Sequence, residues 1–486
     1  MNFKLMGRIN SYVLAIEAVL MVPSMLISVG YGEIRAAGAL LISILITVAV
    51  SGILFLVSKG AKNSLRAREG LVCVGVCWIA MSLLGALPFC ISGEIPRYVD
   101  AVFETVSGFT TTGASILVDV EAMSKGLLFW RSFTHWIGGM GILVFMLAVV
   151  PMGGKNEGFT LHLMRAESPG PSVGKIVPKM RETASILYLI YCGLTFLCVL
   201  FLLAGDMPLF DALCTAFGTA GTGGFGVKRD SMAGYSEYLQ SVVTVFMALF
   251  GVNFTCYYLL LRKDWKSVLK DEELRTYVIV ILASAFAITL NIRDQFTSMR
   301  EAWHHAVFTV SSIITTTGFA TKDFNQWPTF SKAVILTLMF IGACAGSTGG
   351  GIKVSRILLL IKGLRRNIHQ ILHPQKVQTI RINGKSVSET VMANTNAYLS
   401  AYVLIVIMSF LVLSLNGGFS IESNFSAVMC TFNNIGPGLD QVGPASNFFA
   451  YNDLSKIVLI FDMLLGRLEI FPILVLFSRS TWTKLK

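Results

Sequence analysis

The chain has 486 residues, of which 54% are hydrophobic and only 14% are charged, and its formal net charge is +11. Soluble domains carry about 25% charged residues. This composition, with a mean hydropathy of +0.68, therefore excludes a large soluble domain and predicts an integral membrane protein with about ten spans. The basic residues stand in short loops between apolar segments, which the positive-inside rule explains better than nucleic-acid binding.

Two transmembrane helices are predicted first, over residues 10–30 and 36–58. The N-terminal segment could pass for a signal peptide. It lacks a clear small-residue cleavage site, however, and a second apolar segment follows at once, so we expect a retained helix. The nine cysteines lie mostly in apolar segments without a C-x-x-C pair, and we expect them to be packing residues.

From residue 70 onward the sequence repeats a unit made of a full span, a short apolar segment and a second full span. The short segments are about a dozen residues long, too short to cross a bilayer, so we expect re-entrant helices whose backbone is buried in protein. The predicted segments are 71–92, 98–110 and 126–149 in unit one; 184–204, 209–220 and 238–261 in unit two; 276–291, 301–315 and 332–361 in unit three; and 395–415, 421–433 and 455–478 in unit four.

These units predict an all-α polytopic membrane protein. Its four pseudo-repeats of helix–pore helix–helix surround a central pore, and two further helices precede them. The predicted boundaries are 1–69 for the N-terminal helices, then 70–150, 151–262, 263–372 with an intramembrane gating loop, and 373–486 for the four pore repeats.

A glycine preceded by small residues ends each short segment, at Gly113, Gly224, Gly318 and Gly436, with near-even spacing (224−113 = 111, 318−224 = 94, 436−318 = 118). A single Thr-Gly pair would indicate a turn, but a long internal period indicates one structural unit used repeatedly. Glycine permits the unusual dihedrals that turn carbonyls toward an axis. A ring of such carbonyls can replace the hydration shell of K⁺, and the negative C-terminal ends of the short helices favour a cation.

We therefore predict a K⁺ selectivity filter, in which the threonines can add their hydroxyls as ligands. Its residues are Thr111, Thr112, Gly113, Thr222, Gly223, Gly224, Thr316, Thr317, Gly318, Asn434, Ile435 and Gly436. The fourth copy diverges from the other three because it carries no threonine.

A glycine-rich segment, FIGACAGSTGGGIKVSR at 340–356, interrupts the second span of unit three. Glycine costs about 1 kcal/mol per helical position relative to alanine, and a broken helix at membrane depth needs protein or a water-filled path beside it. Close packing of small residues between helices is the alternative. We predict a flexible gating loop beneath the filter, formed by Ala345, Gly346, Ser347, Thr348, Gly349, Gly350, Gly351 and Lys353.

Arg467 lies twelve residues beyond Ser455 (467−455 = 12), about 18 Å along a helix and near mid-membrane. An arginine there is costly and usually functional, so we predict a fixed positive barrier in the cation path, on a helix that continues through EIFPILVLF. Glu469 can partner Arg467 or a neighbouring helix, and a purely structural ion pair within the bundle is the alternative.

Weaker signals lie elsewhere in the chain. We expect His304 and His305 to be packing or surface residues, and Arg131, His135 and Trp136 to anchor a span at the membrane interface.

The basic loops 59–68, 151–183, 262–275 and 353–391 and the basic C-terminal tail fall on one predicted face. The positive-inside rule makes this face cytoplasmic. Both termini are then inside, and the glycine signatures open from the outside.

The segments TTTGA, TGGF, TTTGF, NNIGPGL, CAGSTGGGIK and GRLEIFP together resemble the Trk/Ktr superfamily of potassium transporters. The two extra N-terminal helices are similar to those of the TrkH-type subunit. The resemblance implies potassium uptake across a bacterial inner membrane, K⁺ as the transported ion with no organic cofactor, a homodimer, and a cytosolic nucleotide-binding regulatory subunit of the TrkA type. It also gives Gly113, Gly224, Gly318 and Gly436 the filter role, residues 345–351 the gating role and Arg467 the barrier role.

Three other functions compete with this one. Ammonium conduction would call for paired mid-membrane histidines, whereas His304 and His305 are adjacent and lie in a short outer segment. An alternating-access cation symporter, coupled to H⁺ or Na⁺, also uses internal repeats and broken helices, but such repeats do not place a short re-entrant helix in every unit. An enzyme would need clustered His, Asp or Glu at the membrane face, and the sequence contains no such cluster. We therefore expect no enzymatic activity.

Overall fold

The computed structural model describes residues 1–61, 66–141, 180–376, 378–415 and 417–482. This part of the chain is mostly helical. A two-stranded antiparallel hairpin, β1 (Arg381–Ile382) and β2 (Lys385–Ser386), interrupts the helices. The helices before the hairpin are α1 (Phe3–Gly30), α2 (Ile34–Val57), α3 (Ala67–Gly85), α4 (Leu87–Ser92), α5 (Tyr98–Phe109), α6 (Lys125–Gly139), α7 (Met180–Ala204), α8 (Leu209–Ala220), α9 (Glu237–Phe250), α10 (Phe254–Leu261), α11 (Trp265–Lys270), α12 (Glu272–Ile292), α13 (Met299–Ile314), α14 (Thr329–Ile341) and α15 (Val354–Leu372). Those after it are α16 (Glu389–Ser414), α17 (Ile421–Phe432), α18 (Asp453–Arg467), α19 (Phe471–Phe477) and α20 (Arg479–Trp482).

Among the described residues, six helical stretches are long and apolar enough to cross a membrane. They are Phe3–Gly30, Ile34–Val57, Arg68–Ser92, Ala184–Ala204, Glu272–Gln295 and Glu389–Ser414. The predicted pair of N-terminal helices is present as α1 and α2, which pack against each other. Leucine, isoleucine and valine side chains on α2 remain exposed, as expected for a surface that contacts lipid.

The four predicted re-entrant segments are short helices, α5, α8, α13 and α17. Each has only 12 to 16 residues, and the glycine signature of its unit follows directly. Side chains cap α13 and α17 at Ser298 and Ser420. In α5 every residue from Asp100 to Phe109 is buried, because neighbouring helices surround it on all sides.

The second span of a unit is broken more often than the sequence predicts. Unit three breaks between α14 and α15, at the predicted glycine-rich segment. Unit two was predicted as one helix over 238–261, which is wrong: α9 and α10 meet at a 90° bend at residues 251–253. Asn253 starts the new helix by accepting a hydrogen bond from the Thr255 N–H.

Unit four is also broken, so the prediction that the Arg467 helix continues through EIFPILVLF is wrong. α18 ends at Arg467 and α19 begins at Phe471. Glu469 and Ile470 both have positive φ, 53° and 71°, which no helix interior allows. Pro472 in the first turn of α19 fits a helix start because its missing N–H would be unpaired there in any case.

Several predictions lie outside the described residues. They are the end of the span 126–149, most of the basic loop 151–183, part of the loop 59–68 and the basic end of the C-terminal tail. The boundaries of the four pore repeats also stay predictions.

Candidate ion pathway

The four glycine signatures form a closed ring. A Cβ atom placed on any one of the four glycines would collide with, or lie within 2.8 Å of, a carbonyl oxygen of the next signature around the ring. In chain order the contacts are Gly113 with Gly223, Gly224 with Thr317, Gly318 with Ile435 and Gly436 with Thr112. Because the fourth contact returns to the first signature, the units surround one axis.

All four signatures share one backbone conformation. The signature glycine has a positive φ, between 76° and 96°, and so does the residue two positions before it, between 55° and 59°. These preceding residues are Thr111, Thr222, Thr316 and Asn434. A positive φ at a threonine is uncommon and strained, and its occurrence at the same position in three units indicates that the ring imposes it.

The central residue of each signature is held by an equivalent hydrogen bond. Its N–H donates to the carbonyl five residues earlier, in the adjoining pore helix, over 2.8 Å in every unit. The four pairs are Thr112 to Ser107, Gly223 to Gly218, Thr317 to Ser312 and Ile435 to Cys430. No described residue donates a hydrogen bond to the carbonyl oxygens of these four central residues, and all four residues are buried.

Side-chain hydrogen bonds connect residues within the signatures and between them. In unit one the Thr110 and Thr112 hydroxyls lie 2.8 Å apart, and the Thr315 and Thr317 hydroxyls repeat this distance in unit three. Asn434 of the divergent fourth copy donates from Nδ2 to Thr112 Oγ1 over 2.9 Å. The asparagine therefore links units four and one.

One end of the ring opens into a cavity of about 130 Å³. The four signature glycines line it, together with polar groups such as Ser115, Lys228 and Arg229. Glycines therefore lie at the cavity end of each signature, and the threonine or asparagine two positions earlier lies at the opposite end.

The glycine-rich segment covers that opposite end. We define the inner loop as residues 342–353, between α14 and α15. The Gly350 N–H donates to Thr316 Oγ1 over 2.6 Å. A Cβ on Gly349 would lie 2.8 Å from the Thr315 carbonyl. The loop thus packs directly on the ring, and side chains at these glycines would push it away.

The inner loop is an ordered structure rather than a free coil. Lys353, only 7% exposed, donates from Nζ to the Gly349 carbonyl. Thr348 Oγ1 donates to the Phe250 carbonyl over 3.2 Å, and the Phe254 N–H donates to the Gly346 carbonyl over 3.0 Å. Residues on both sides of the bend between α9 and α10 therefore hold the inner loop in place.

The Arg467 side chain contacts the ring, the inner loop and the end of α6. Nη1 donates to Thr111 Oγ1 over 3.1 Å and to the Thr348 carbonyl over 2.8 Å. Nη2 donates to the carbonyls of Gly138 and Gly139 at the end of α6. A guanidinium has five donors in a fixed plane, which allows one side chain to hold the ring, the inner loop and the second helix of unit one together.

Glu469 does not pair with Arg467 in the structure. It forms a buried ion pair with Arg356, in the first turn of α15. The Arg356 guanidinium also lies 4.1 Å from the centre of the Tyr398 ring. The break between α18 and α19 is therefore attached to the helix that follows the inner loop.

The interpretation of Arg131 and His135 as interface anchors is wrong, because both are buried behind the ring. Arg131 Nε donates to Glu104 Oε1 over 2.6 Å, and Glu104 accepts the Ile116 N–H just beyond the first signature. His135 Nδ1 lies 2.8 Å from the Gly108 carbonyl, and its Nε2 accepts the Phe225 N–H.

Trp136, which is partly buried, stacks on Phe133 and Tyr191, and its role as an interface anchor stays a prediction. His304 lies 2.7 Å from Gln240 Oε1, and His305 lies 2.9 Å from Thr321 Oγ1, as expected for packing residues. Within the described ranges, no group of three or more His, Cys, Asp or Glu side chains could hold a metal ion.

A helical membrane protein with a ring of backbone carbonyls on one axis belongs to the class of channels and transporters for small ions. A sequence profile of the TrkH family, described as "Cation transport protein", matches residues 37–484. The chain belongs to this family.

Curated relatives and a solved structure agree with that assignment. The chain is 36% identical to the Trk system potassium uptake protein TrkH of Salmonella typhimurium over 99% of this chain and 100% of the relative. It is 33% identical to the Trk system potassium uptake protein TrkG of Escherichia coli over 95% of each chain. The crystal structure of the potassium transporter TrkH from Vibrio parahaemolyticus matches with a TM-score of 0.88 and 33% identity, covering 99% of this chain and 100% of that one. The named relatives are transporters, not enzymes.

Proposed function

We propose that this protein takes up K⁺ through a channel-like pore whose selectivity filter is the ring of four signatures. The observation that carries the proposal is the set of four equivalent carbonyl oxygens, on buried residues, to which no described residue donates a hydrogen bond. Buried backbone carbonyls are almost always paired. A partly dehydrated cation on the axis would satisfy all of them at once. The named potassium uptake activity of the relatives supports K⁺ as the transported ion.

The inner loop and Arg467 form the gate in this proposal. The loop lies across the inner end of the ring, where it contacts Thr315 and Thr316. Arg467 places a positive charge beside Thr111 at the same end. A cation leaving the filter would meet both a packed loop and a like charge, and these two contacts support a closed gate in the absence of a partner.

We further propose that a cytosolic nucleotide-binding subunit of the TrkA type opens the gate and that the protein works as a homodimer in the bacterial inner membrane. The basic residues after the inner loop support the first part. Arg365, Arg366 and Arg381 line one surface pocket together with Lys362. Complementary charge would mainly set the rate of encounter and its salt dependence.

Flux of ⁸⁶Rb⁺ into liposomes that contain only this protein tests the proposal. Uptake should be competed by unlabelled K⁺ more strongly than by Na⁺ or NH₄⁺, and empty liposomes provide the baseline. Equal competition by K⁺ and Na⁺ would contradict the filter assignment. Single-channel steps in a planar bilayer are also expected. Saturable flux that depends on a H⁺ or Na⁺ gradient and never shows such steps would instead favour an alternating-access symporter.

A further inference from the structure

Three consecutive acidic residues, Asp271, Glu272 and Glu273, stand at the start of α12, and the first two hold the turn of the hairpin β1–β2. Asp271 caps the helix by accepting the Leu274 N–H over 2.8 Å, and its second oxygen accepts Asn383 Nδ2 over 2.8 Å. Glu272 and Asn383 form a reciprocal pair: the Glu272 N–H donates to Asn383 Oδ1, and the Asn383 N–H donates to Glu272 Oε1. One asparagine thus makes three hydrogen bonds to the first turn of the helix.

The third acidic residue holds the inner loop. Glu273 is only 6% exposed. Its Oε1 accepts the Ala345 N–H over 2.7 Å and the Ser355 N–H over 3.1 Å. These two residues flank the glycine-rich part of the loop on either side. One carboxylate oxygen therefore fixes both ends of the segment that covers the ring, through bonds strengthened by its charge.

A lysine of α15 connects the start of α12 to the hairpin. Lys362 Nζ forms an ion pair with Glu272 and donates to the Arg381 carbonyl in β1 over 2.7 Å. Asn383 stands at the hairpin turn with φ of 50°, a conformation that asparagine tolerates better than most residues. The hairpin, α15 and the start of α12 are therefore joined at one point.

We infer that this acidic corner (271–273) couples the position of the hairpin to that of the inner loop, with Glu273 as a positioning residue for the gate. The inference rests on the proposed role of the inner loop as the gate. It names the contacts through which a partner bound on the cytoplasmic face would move the inner loop. Consecutive residues in an α-helix are separated by only about 1.5 Å along the helix axis. A displacement of the hairpin that pulls on Asn383 therefore shifts Glu273 and, with it, both ends of the loop.

Two variants separate this coupling from a general loss of structure. Asn383→Gly removes the side-chain bonds to the corner and keeps the positive φ without strain. Glu273→Gln keeps the shape of the side chain and removes its charge. Lys385→Ala is the matched control, because Lys385 is an exposed residue of the same hairpin. The readout is the rate at which a water-soluble maleimide labels a Ser347→Cys reporter in a background without the nine native cysteines.

Asn383→Gly and Glu273→Gln should each raise the labelling rate at least about fivefold, the lower end of usual coupling strengths, and Lys385→Ala should leave it unchanged. The double variant should label no faster than the faster single one, since both act on one connection. Unchanged labelling in Asn383→Gly would overturn the coupling. Basal ⁸⁶Rb⁺ flux measured in parallel separates the two proposals: faster labelling without any rise in flux would support the coupling and contradict the gate.

Discussion

Arg467 Nη1 donates both to Thr111 Oγ1, 3.1 Å away in the first signature, and to the Thr348 carbonyl, 2.8 Å away in the inner loop. One guanidinium therefore fixes the loop against the ring and places a positive charge on the proposed cation path. Two unit charges 4 Å apart repel by about 4 kcal/mol at an effective dielectric constant near 20. Loss of this residue removes both the contact and the charge.

We predict that Arg467→Ala raises basal ⁸⁶Rb⁺ flux in liposomes without any partner protein, by about tenfold or more. Arg467→Lys is the control for charge: it keeps the positive charge but cannot make bonds in several directions from one plane, so its flux should lie between those of wild type and Arg467→Ala.

Deletion within residues 346–351 should also raise flux, and the combined change should be less than additive if both block the same passage. Basal flux at or below wild type in both well-inserted variants would mean that the gate lies elsewhere.

The second prediction concerns the ring itself. Gly113→Ala should reduce the preference for K⁺ over Na⁺ by at least about tenfold, equivalent to about 1.4 kcal/mol. The new Cβ would overlap the Gly223 carbonyl oxygen and disturb the ring at the proposed ion ligands. Gly32→Ala is the matched control, because Gly32 also has a positive φ, 74°, but no atom lies within 4 Å of its added Cβ. Competition of ⁸⁶Rb⁺ uptake by K⁺ and Na⁺ measures the preference.

Unchanged selectivity in Gly113→Ala, with normal insertion, would remove Gly113 from the filter. An equal loss in Gly32→Ala would show that backbone strain, and not the ring contact, is responsible.

The third prediction concerns the buried ion pair behind the ring. Removing one partner of a buried pair leaves an uncompensated charge and costs about 3–5 kcal/mol. Arg131→Met should therefore lower the melting temperature strongly, because Arg131 and Glu104 are 3% and 0% exposed. Arg97→Met is the control: its pair with Asp453 is more than half exposed, and exposed pairs contribute about 1 kcal/mol or less. Equal melting temperatures for the two variants in the same detergent would contradict this account.

Much of the fold could be predicted because its signals are local. Apolar runs indicate spans, and a dozen residues cannot cross a bilayer, so the N-terminal helices and the four short helices follow from segment length. The ring was also predictable in outline. Four glycines at similar spacing, three of them with a threonine two positions earlier, indicate a repeated backbone conformation, and the positive φ values at Gly113 and its three equivalents agree with that expectation.

The breaks in units two and four were missed because long apolar runs continue on both sides of each bend. Pro472 and the Gly251–Asn253 segment were usable signals, since proline favours a helix start and asparagine caps one. The particular partner residues of Glu104 and Glu469 could not be predicted. Arg131 lies 27 residues from Glu104 within unit one, and Arg356 lies 113 residues from Glu469 in another unit, so these contacts depend on how helices pack within and between the units.

The last prediction tests the orientation in the membrane, which rests on the distribution of basic residues. A cysteine at Gly384, in the hairpin turn, should be labelled by an impermeant maleimide only after cells are opened. A cysteine at Gly32, between α1 and α2, should be labelled from outside, because an odd number of spans separates it from a cytoplasmic N-terminus. The two sites are matched: both glycines have φ near 75° and open space around an added Cβ, so strain and access are comparable. Labelling of Gly384→Cys in intact cells would reverse the topology and place the inner loop and Arg467 on the outer side of the ring.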